Sequence, residues 1–76
     1  MKISILIPAF NEEKTIFNVV KTVNKFGKSI VIDDGSIDKT SSEVQKSRAI
    51  LVVHKKNLGY DAALNSGFKQ ALKLKF

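Results

Sequence analysis

The chain has no cysteine, so it can form no disulfide staple, no thiolate metal site and no sulfur nucleophile. That fits a reducing compartment. His54 is the single histidine, which excludes a metal centre built from several imidazoles. Long apolar runs are missing too: the longest, Ala49 to Val53, is strand length, against the ~20 residues a membrane helix needs. Pro8 cuts short the apolar segment behind Lys2, and no small-residue cleavage site follows, so this segment is expected to be a buried strand and not a leader. There is no Gly-x-Gly-x-x-Gly after a strand and no Gly-x4-Gly-Lys-Ser/Thr, so the dinucleotide and P-loop phosphate cradles are excluded. No internal repeat, linker or low-complexity tract interrupts the sequence.

What remains is 76 residues, one domain at most (1–76), with a formal charge of +6. A chain this short buries only roughly 60 to 65 % of its unfolded surface, so its core is marginal and a partner would help it. The charge is uneven. Lysines 2, 14, 21, 25 and 28 cancel acids 12, 13, 33, 34 and 38, whereas residues 39–76 carry eight basic residues against two acidic ones. A basic half can attract nucleotide phosphate, nucleic acid or an anionic membrane face, or it can be a solvated helix face rich in lysine. The nucleic-acid reading lacks an aromatic-interleaved strand surface, and Tyr60 is the single tyrosine, so no nucleic-acid partner is expected.

Residues 2–8 predict a first strand, continuous enough to be covered on both faces. Asn11 is expected to cap a helix with Glu12 and Glu13 in its first turn, where carboxylates favour the positive end of the macrodipole. Ile16, Val19, Val20 and Val23 recur at helical spacing, and Gly27 closes the helix. Ile30 to Ile32 predict a second strand, Asp38 to Lys46 a short polar helix, and Ile50 to Val53 a third strand. After the Asn57 and Gly59 loop, Leu64, Phe68, Ala71, Leu72 and Lys75 fall on one stripe of a last helix. Strand and helix alternating in this way imply an α/β fold: a parallel sheet of about three strands joined by right-handed crossovers, the three-layer half of a doubly wound, Rossmann-like domain. The chain stops where a fourth strand is expected.

Two strands run into polar loops on the same edge of such a sheet, Ile3 to Ile7 into Pro8-Ala9-Phe10-Asn11-Glu12-Glu13, and Ile30 to Ile32 into Asp33-Asp34-Gly35-Ser36. In open α/β sheets ligands bind in the crevice beyond the carboxyl ends of the strands. Consecutive strand side chains point to opposite faces, so one aspartate should face the crevice and the other brace the loop. A carboxylate there could accept a hydrogen bond from a base imide or a ribose hydroxyl, coordinate a divalent cation, or simply form turn and capping bonds. Gly35 and Ser36 are structural first. Asn57-Leu58-Gly59 permits close backbone approach to a ligand, and the helix behind it would present free N–H groups suited to an anion. A response-regulator receiver would carry its acidic pair on the first strand and a further aspartate on the third, which here ends in His54-Lys55-Lys56. A haloacid-dehalogenase loop would need an aspartate where Ile32 stands.

Together, Ser4 to Glu13, Val31 to Thr40, and Asn57-Leu58-Gly59 through Ala63-Leu64-Asn65-Ser66-Gly67 resemble the amino-terminal third of a family 2 glycosyltransferase of the GT-A fold, the group that includes dolichyl-phosphate mannose synthases. The resemblance spans nearly the whole chain and implies the nucleotide-sugar binding half. It implies that Pro8, Ala9 and Phe10 line the base and ribose pocket, that Glu12 lies near the nucleoside, and that Asp34 hydrogen-bonds the base with Asp33 as its structural neighbour. Asn57 and Gly59 match the loop that closes over the nucleotide. Tyr60-Asp61 departs from the small or basic residues usual there, and Asp61 is expected to cap the last helix.

The family's Asp-x-Asp metal motif occurs nowhere in the chain. The resemblance therefore implies a segment without metal or catalytic residues, silent alone; Mg²⁺ or Mn²⁺, the acceptor and the catalytic base belong to the complete enzyme. Its expected partners are a UDP- or GDP-type nucleotide sugar and a second copy bound through an exposed sheet edge, with a membrane-lipid acceptor for the complete enzyme alone. A cytoplasmic location, peripheral to the membrane, is expected. The alternative from another class is a non-catalytic oligomerising α/β interaction module that retains the half-fold.

Overall fold

The computed structural model of the chain describes residues 3–74. Strands β1 (Ser4–Ala9), β2 (Lys28–Asp34) and β3 (Ile50–His54) alternate with helices α1 (Ile16–Val23), α2 (Thr40–Lys46) and α3 (Tyr60–Leu74). The strands form one parallel sheet in the order β1-β2-β3. This is the expected three-layer α/β arrangement. Among the described residues no helix is long and apolar enough to cross a membrane.

The period of two along the strands sorts the core. Ile30 and Ile32 of β2 turn to one face, where Leu6, Ile50, Val52, Ala63 and Ala71 meet them beneath α3. Val31 turns to the other and packs with Ala9, Ile16, Val20 and Val44 beneath α1 and α2. As the central strand, β2 is buried from Ser29 through Asp34. By contrast β1 is an edge strand, paired on one side alone, and its residues from Ser4 to Pro8 are half-buried instead of fully covered.

Helix α3 approaches the sheet through Ala63, Gly67 and Ala71. A Cβ on Gly67 would stand 2.7 Å from Ile32 Cδ1 and 3.2 Å from Leu6 Cδ2. The large β2 and β1 side chains already fill the interlayer space, so the helix must present its smallest residues. This corrects the expected apolar stripe: Leu64 is half-buried, Phe68 and Leu72 are 57 % and 62 % exposed, and Lys75 lies outside the described residues.

Two helix starts also differ from expectation. Asn11 has φ +52°, the left-handed region, and α1 begins only at Ile16, so Glu12 and Glu13 precede the helix instead of occupying its first turn. The Glu12 carbonyl instead accepts from Thr15 N and Ile16 N at 3.1 and 2.9 Å. Within α1, Ile16 and Val20 are buried while Val19 is exposed. Gly27 does not close α1, which ends at Val23; it lets Lys28 N reach Ile3 O at 2.8 Å, and a Cβ there would lie 2.5 Å from that oxygen. Likewise α2 starts at Thr40, with Asp38 Oδ1 accepting the Thr40 N–H at 2.9 Å from outside the helix.

Candidate functional site

All three strands end at the same edge of the sheet, where the ends of β1 and β2, the loops after β1 and β3 and the start of α3 line a cleft of about 270 Å³. Seven of the residues singled out in the sequence line it: Pro8, Ala9, Phe10, Glu12, Asp34, Asn57 and Gly59. Tyr60 and Ala63 complete the lining. Asp33 does not join them. It follows Val31 to the α1 and α2 face, where Oδ1 accepts the Ser36 N–H at 2.9 Å and Oδ2 accepts the Ser41 hydroxyl. Asp33 is therefore the brace of the β2–α2 loop, the structural neighbour of Asp34, and does not line this cleft.

Asp34 follows Ile30 and Ile32 to the α3 face, and there it gathers the β3–α3 loop. Its Oδ1 accepts from His54 Nδ1 at 2.8 Å and Leu58 N at 2.9 Å, and its Oδ2 accepts from Gly59 N at 2.9 Å. The hydrogen bond from His54, followed by that from Leu58 N, holds the carboxyl below its ordinary range against the opposing effect of burial. His54 pairs in register with Asp34, and its Nε2 lies 2.8 Å from Ser66 Oγ on α3. Gly59, at φ +100°, provides the left-handed turn that aims its N–H at Asp34. Gly35, at φ +80°, lets the β2–α2 turn pass directly against the Lys56 and Asn57 backbone, where any Cβ would collide. Asp61 sits within the first turn of α3 and is exposed, while the Gly59 carbonyl receives Ala63 N at 3.0 Å. The expected cap is thus a first-turn charge favourable to the helix dipole.

The β1–α1 loop is secured by side chains of the β2–α2 region. Asn11 N donates to Ser36 Oγ at 2.8 Å, Glu12 N to Thr40 Oγ1 at 2.9 Å, and Glu13 N to Asp38 Oδ2 at 3.2 Å. In return Ile37 N donates to Asn11 Oδ1 at 2.9 Å. Desolvation, the largest single influence on the Asp38 carboxyl, pushes it up. The Thr40 hydroxyl, the Thr40 N–H and the Glu13 N–H together outweigh this and hold it below its ordinary range. The cleft floor is consequently framed by bonded loops.

Sequence reasoning singled out neither Tyr60 nor Ala63 for the cleft, nor the roles of His54, Ser66 and Thr40. A signal for His54 did exist: it shares the parity of Ile50 and Val52, and so must face α3 alongside Asp34. The residues present do not suit a divalent cation. Asp33 and Asp34 diverge to opposite faces, both carboxylates are occupied by protein donors, and among the described residues no three acidic or histidine side chains converge.

A family model described as glycosyl transferase family 2 matches residues 4–73. An uncharacterized protein of Methanocaldococcus jannaschii is 44 % identical over 73 residues, covering 93 % of this chain and 30 % of that protein. An uncharacterized glycosyltransferase of Rickettsia conorii is 37 % identical over 78 residues, 93 % of this chain and 13 % of its own length. The UDP-N-acetylglucosamine--dolichyl-phosphate N-acetylglucosaminyltransferase of Methanococcus voltae is 31 % identical over 91 residues, 95 % of this chain and 36 % of its own. The chain thus spans between 13 % and 36 % of the length of these relatives. No solved structure gives a significant match.

Proposed function

Because this chain belongs to glycosyl transferase family 2, we propose that it forms the nucleotide-sugar binding portion of a glycosyltransferase, with Asp34 as the contact to the base. The observation that carries this reading is the convergence of Pro8, Ala9, Phe10, Glu12, Asp34, Asn57 and Gly59, drawn from the ends of β1 and β2 and from the loops after β1 and β3, on one cleft at the carboxyl ends of the strands. Pro8, Ala9 and Phe10 offer an apolar wall to a flat ring. Asn57 and Gly59 bring the opposite loop over it. At about 270 Å³ the cleft falls just under the ~300 Å³ at which small-molecule sites usually begin, which suits a nucleoside whose diphosphate and sugar extend beyond it.

The donor is of the UDP or GDP type, and the Methanococcus voltae relative, named for a UDP sugar and a dolichyl phosphate, supports a lipid phosphate as acceptor for the whole enzyme. A divalent ion, where one serves the reaction, is held by residues outside those described here. This chain alone binds without transferring, since base contacts cannot replace the electrostatic stabilisation of a leaving diphosphate. Amide shifts measured during titration with uridine and guanosine diphosphates test the reading. Shifts at Ala9, Gly35 and Gly59 that vanish in Asp34→Ala are expected. Shifts unchanged in that variant defeat the role of Asp34, and donor turnover by the chain with Mn²⁺, above a denatured control, defeats the claim that it is silent alone.

A further inference from the structure

Asp34 meets the cleft with a countable number of acceptor positions. An ionised carboxylate has about four lone-pair sites, two on each oxygen. Both sites on Oδ1 are taken, by His54 Nδ1–H at 2.8 Å and Leu58 N–H at 2.9 Å, and one on Oδ2 is taken by Gly59 N–H at 2.9 Å. Among the described residues no other donor reaches this carboxylate, so a single position remains, on Oδ2. His54 is held in place from behind. A carboxylate only accepts, so Nδ1 carries the proton, and Nε2 faces Ser66 Oγ at 2.8 Å. The side chains of His54 and Asp34 are 9 % and 7 % exposed, and neither His54 nor Ser66 lines the cleft. Ser66, His54 and Asp34 therefore make a brace and not a nucleophilic triad, which would need its serine open to substrate.

We propose that this brace makes the cleft select a base edge with one donor, the imide of a uracil-type ring, over the paired donors of guanine, and that His54 sets the selectivity. The inference rests on the reading of the cleft as a nucleoside site in which Asp34 contacts the base. Guanine offers N1–H and an exocyclic N–H side by side, a pair that suits a carboxylate with both oxygens free. Here Oδ1 is saturated. Guanine must leave its amine unpaired against an occupied oxygen or displace one of the two donors on Oδ1, His54 or Leu58, and a donor left unpaired in a desolvated site weakens binding more than its presence could help. Uracil has one imide N–H between two carbonyls and needs one acceptor. His54 thus acts on the base through Asp34, as a positioning residue.

Calorimetric titration of the 76-residue chain with uridine, guanosine and inosine diphosphates tests this, because the base of inosine is guanine without the exocyclic amine. Uridine diphosphate is expected to bind on the order of tenfold more tightly than guanosine diphosphate. Inosine diphosphate should also bind more tightly than guanosine diphosphate, although the two purines are nearly the same size. His54→Ala should close the gap between inosine and guanosine, and His54→Gln, which retains an N–H for Oδ1, should keep it. Guanosine diphosphate binding the native chain as tightly as the other two overturns the proposal without recourse to any variant. A gap that survives in a folded His54→Ala protein overturns the role of His54. Equal binding of all three that is lost in Asp34→Ala defeats the selectivity alone, whereas no binding of any nucleotide defeats the nucleoside reading with it.

Discussion

Replacing Asp34 by asparagine keeps the shape of the side chain and removes its charge, which isolates what the carboxylate does for the fold. Its oxygens hold His54 Nδ1–H and the Leu58 and Gly59 N–H groups, all within 2.9 Å. Asparagine has one acceptor oxygen with two lone pairs, so the third donor meets an N–H₂ group instead. A hydrogen bond to a charged group contributes about 1.5–3 kcal/mol and a neutral one about 0.5–1.5 kcal/mol. One bond lost and two weakened come to roughly 2–4 kcal/mol, allowing for water to reach Leu58, which is 51 % exposed. A chain of this length has only about 4–11 kcal/mol in total. Urea unfolding followed by circular dichroism at neutral pH should therefore show a large fall in midpoint at unchanged slope. The pH dependence carries a sign. The folded Asp34 titrates below the 3.8 of an unfolded aspartate, so its contribution is complete above that value and is lost as pH falls through the lower folded value. The difference between native and Asp34→Asn proteins should be flat at neutral pH and shrink in acid. A difference under ~0.5 kcal/mol at neutral pH, within the range of ordinary surface substitutions, would show that the carboxylate does not hold the loop.

Gly67→Leu should destabilise the chain by about 3 kcal/mol or more, because its Cβ already stands 2.7 Å from Ile32 Cδ1. Gly67→Ala should cost less, since a gain of up to about 1 kcal/mol in helix propensity offsets the crowding; thermal unfolding of both variants checks the order. Thr40→Val removes the acceptor of Glu12 N and should cost about 1–3 kcal/mol, with amide exchange at Glu12 accelerated. The unpaired side of β1 should draw a second copy by strand pairing or exchange of α3, and Ile5→Lys should dissociate it; light scattering that shows a stable native monomer at micromolar concentration would refute this.

The order of elements was legible because apolar runs, glycines and helical spacing change together at each boundary. The caps were not, and Asn11 shows why. Asparagine is a favourable cap, but here its backbone is left-handed and its side chain answers Ile37, a partner 26 residues away that no local pattern reveals. The α3 stripe misled for a packing reason: hydrophobicity pointed to Phe68 and Leu72, whereas the bulky Ile32 and Leu6 beneath demanded Ala63 and Gly67. In the cleft, the parity of β2 separated the two aspartates in principle, but the face each occupied depended on which side α3 covers. The resemblance located Asp34, and the sheet register then explains its neighbours. Tyr60 escaped because it departs from the family pattern at that position.

The bonds that anchor the loop leading into α1 have a consequence for the order in which the chain becomes ordered. The N–H groups of Asn11, Glu12 and Glu13, in the loop just ahead of the helix, are satisfied by Ser36, Thr40 and Asp38, which lie 25, 28 and 25 residues onward. An isolated helix of 8 residues is far too short to persist in water. During synthesis, then, the first helix cannot settle when it is made; it must wait until Thr40 has followed it out. Vectorial growth and structural order run in opposite senses here, and α1 and the β2–α2 loop should open and close as one cooperative unit in native-state hydrogen exchange.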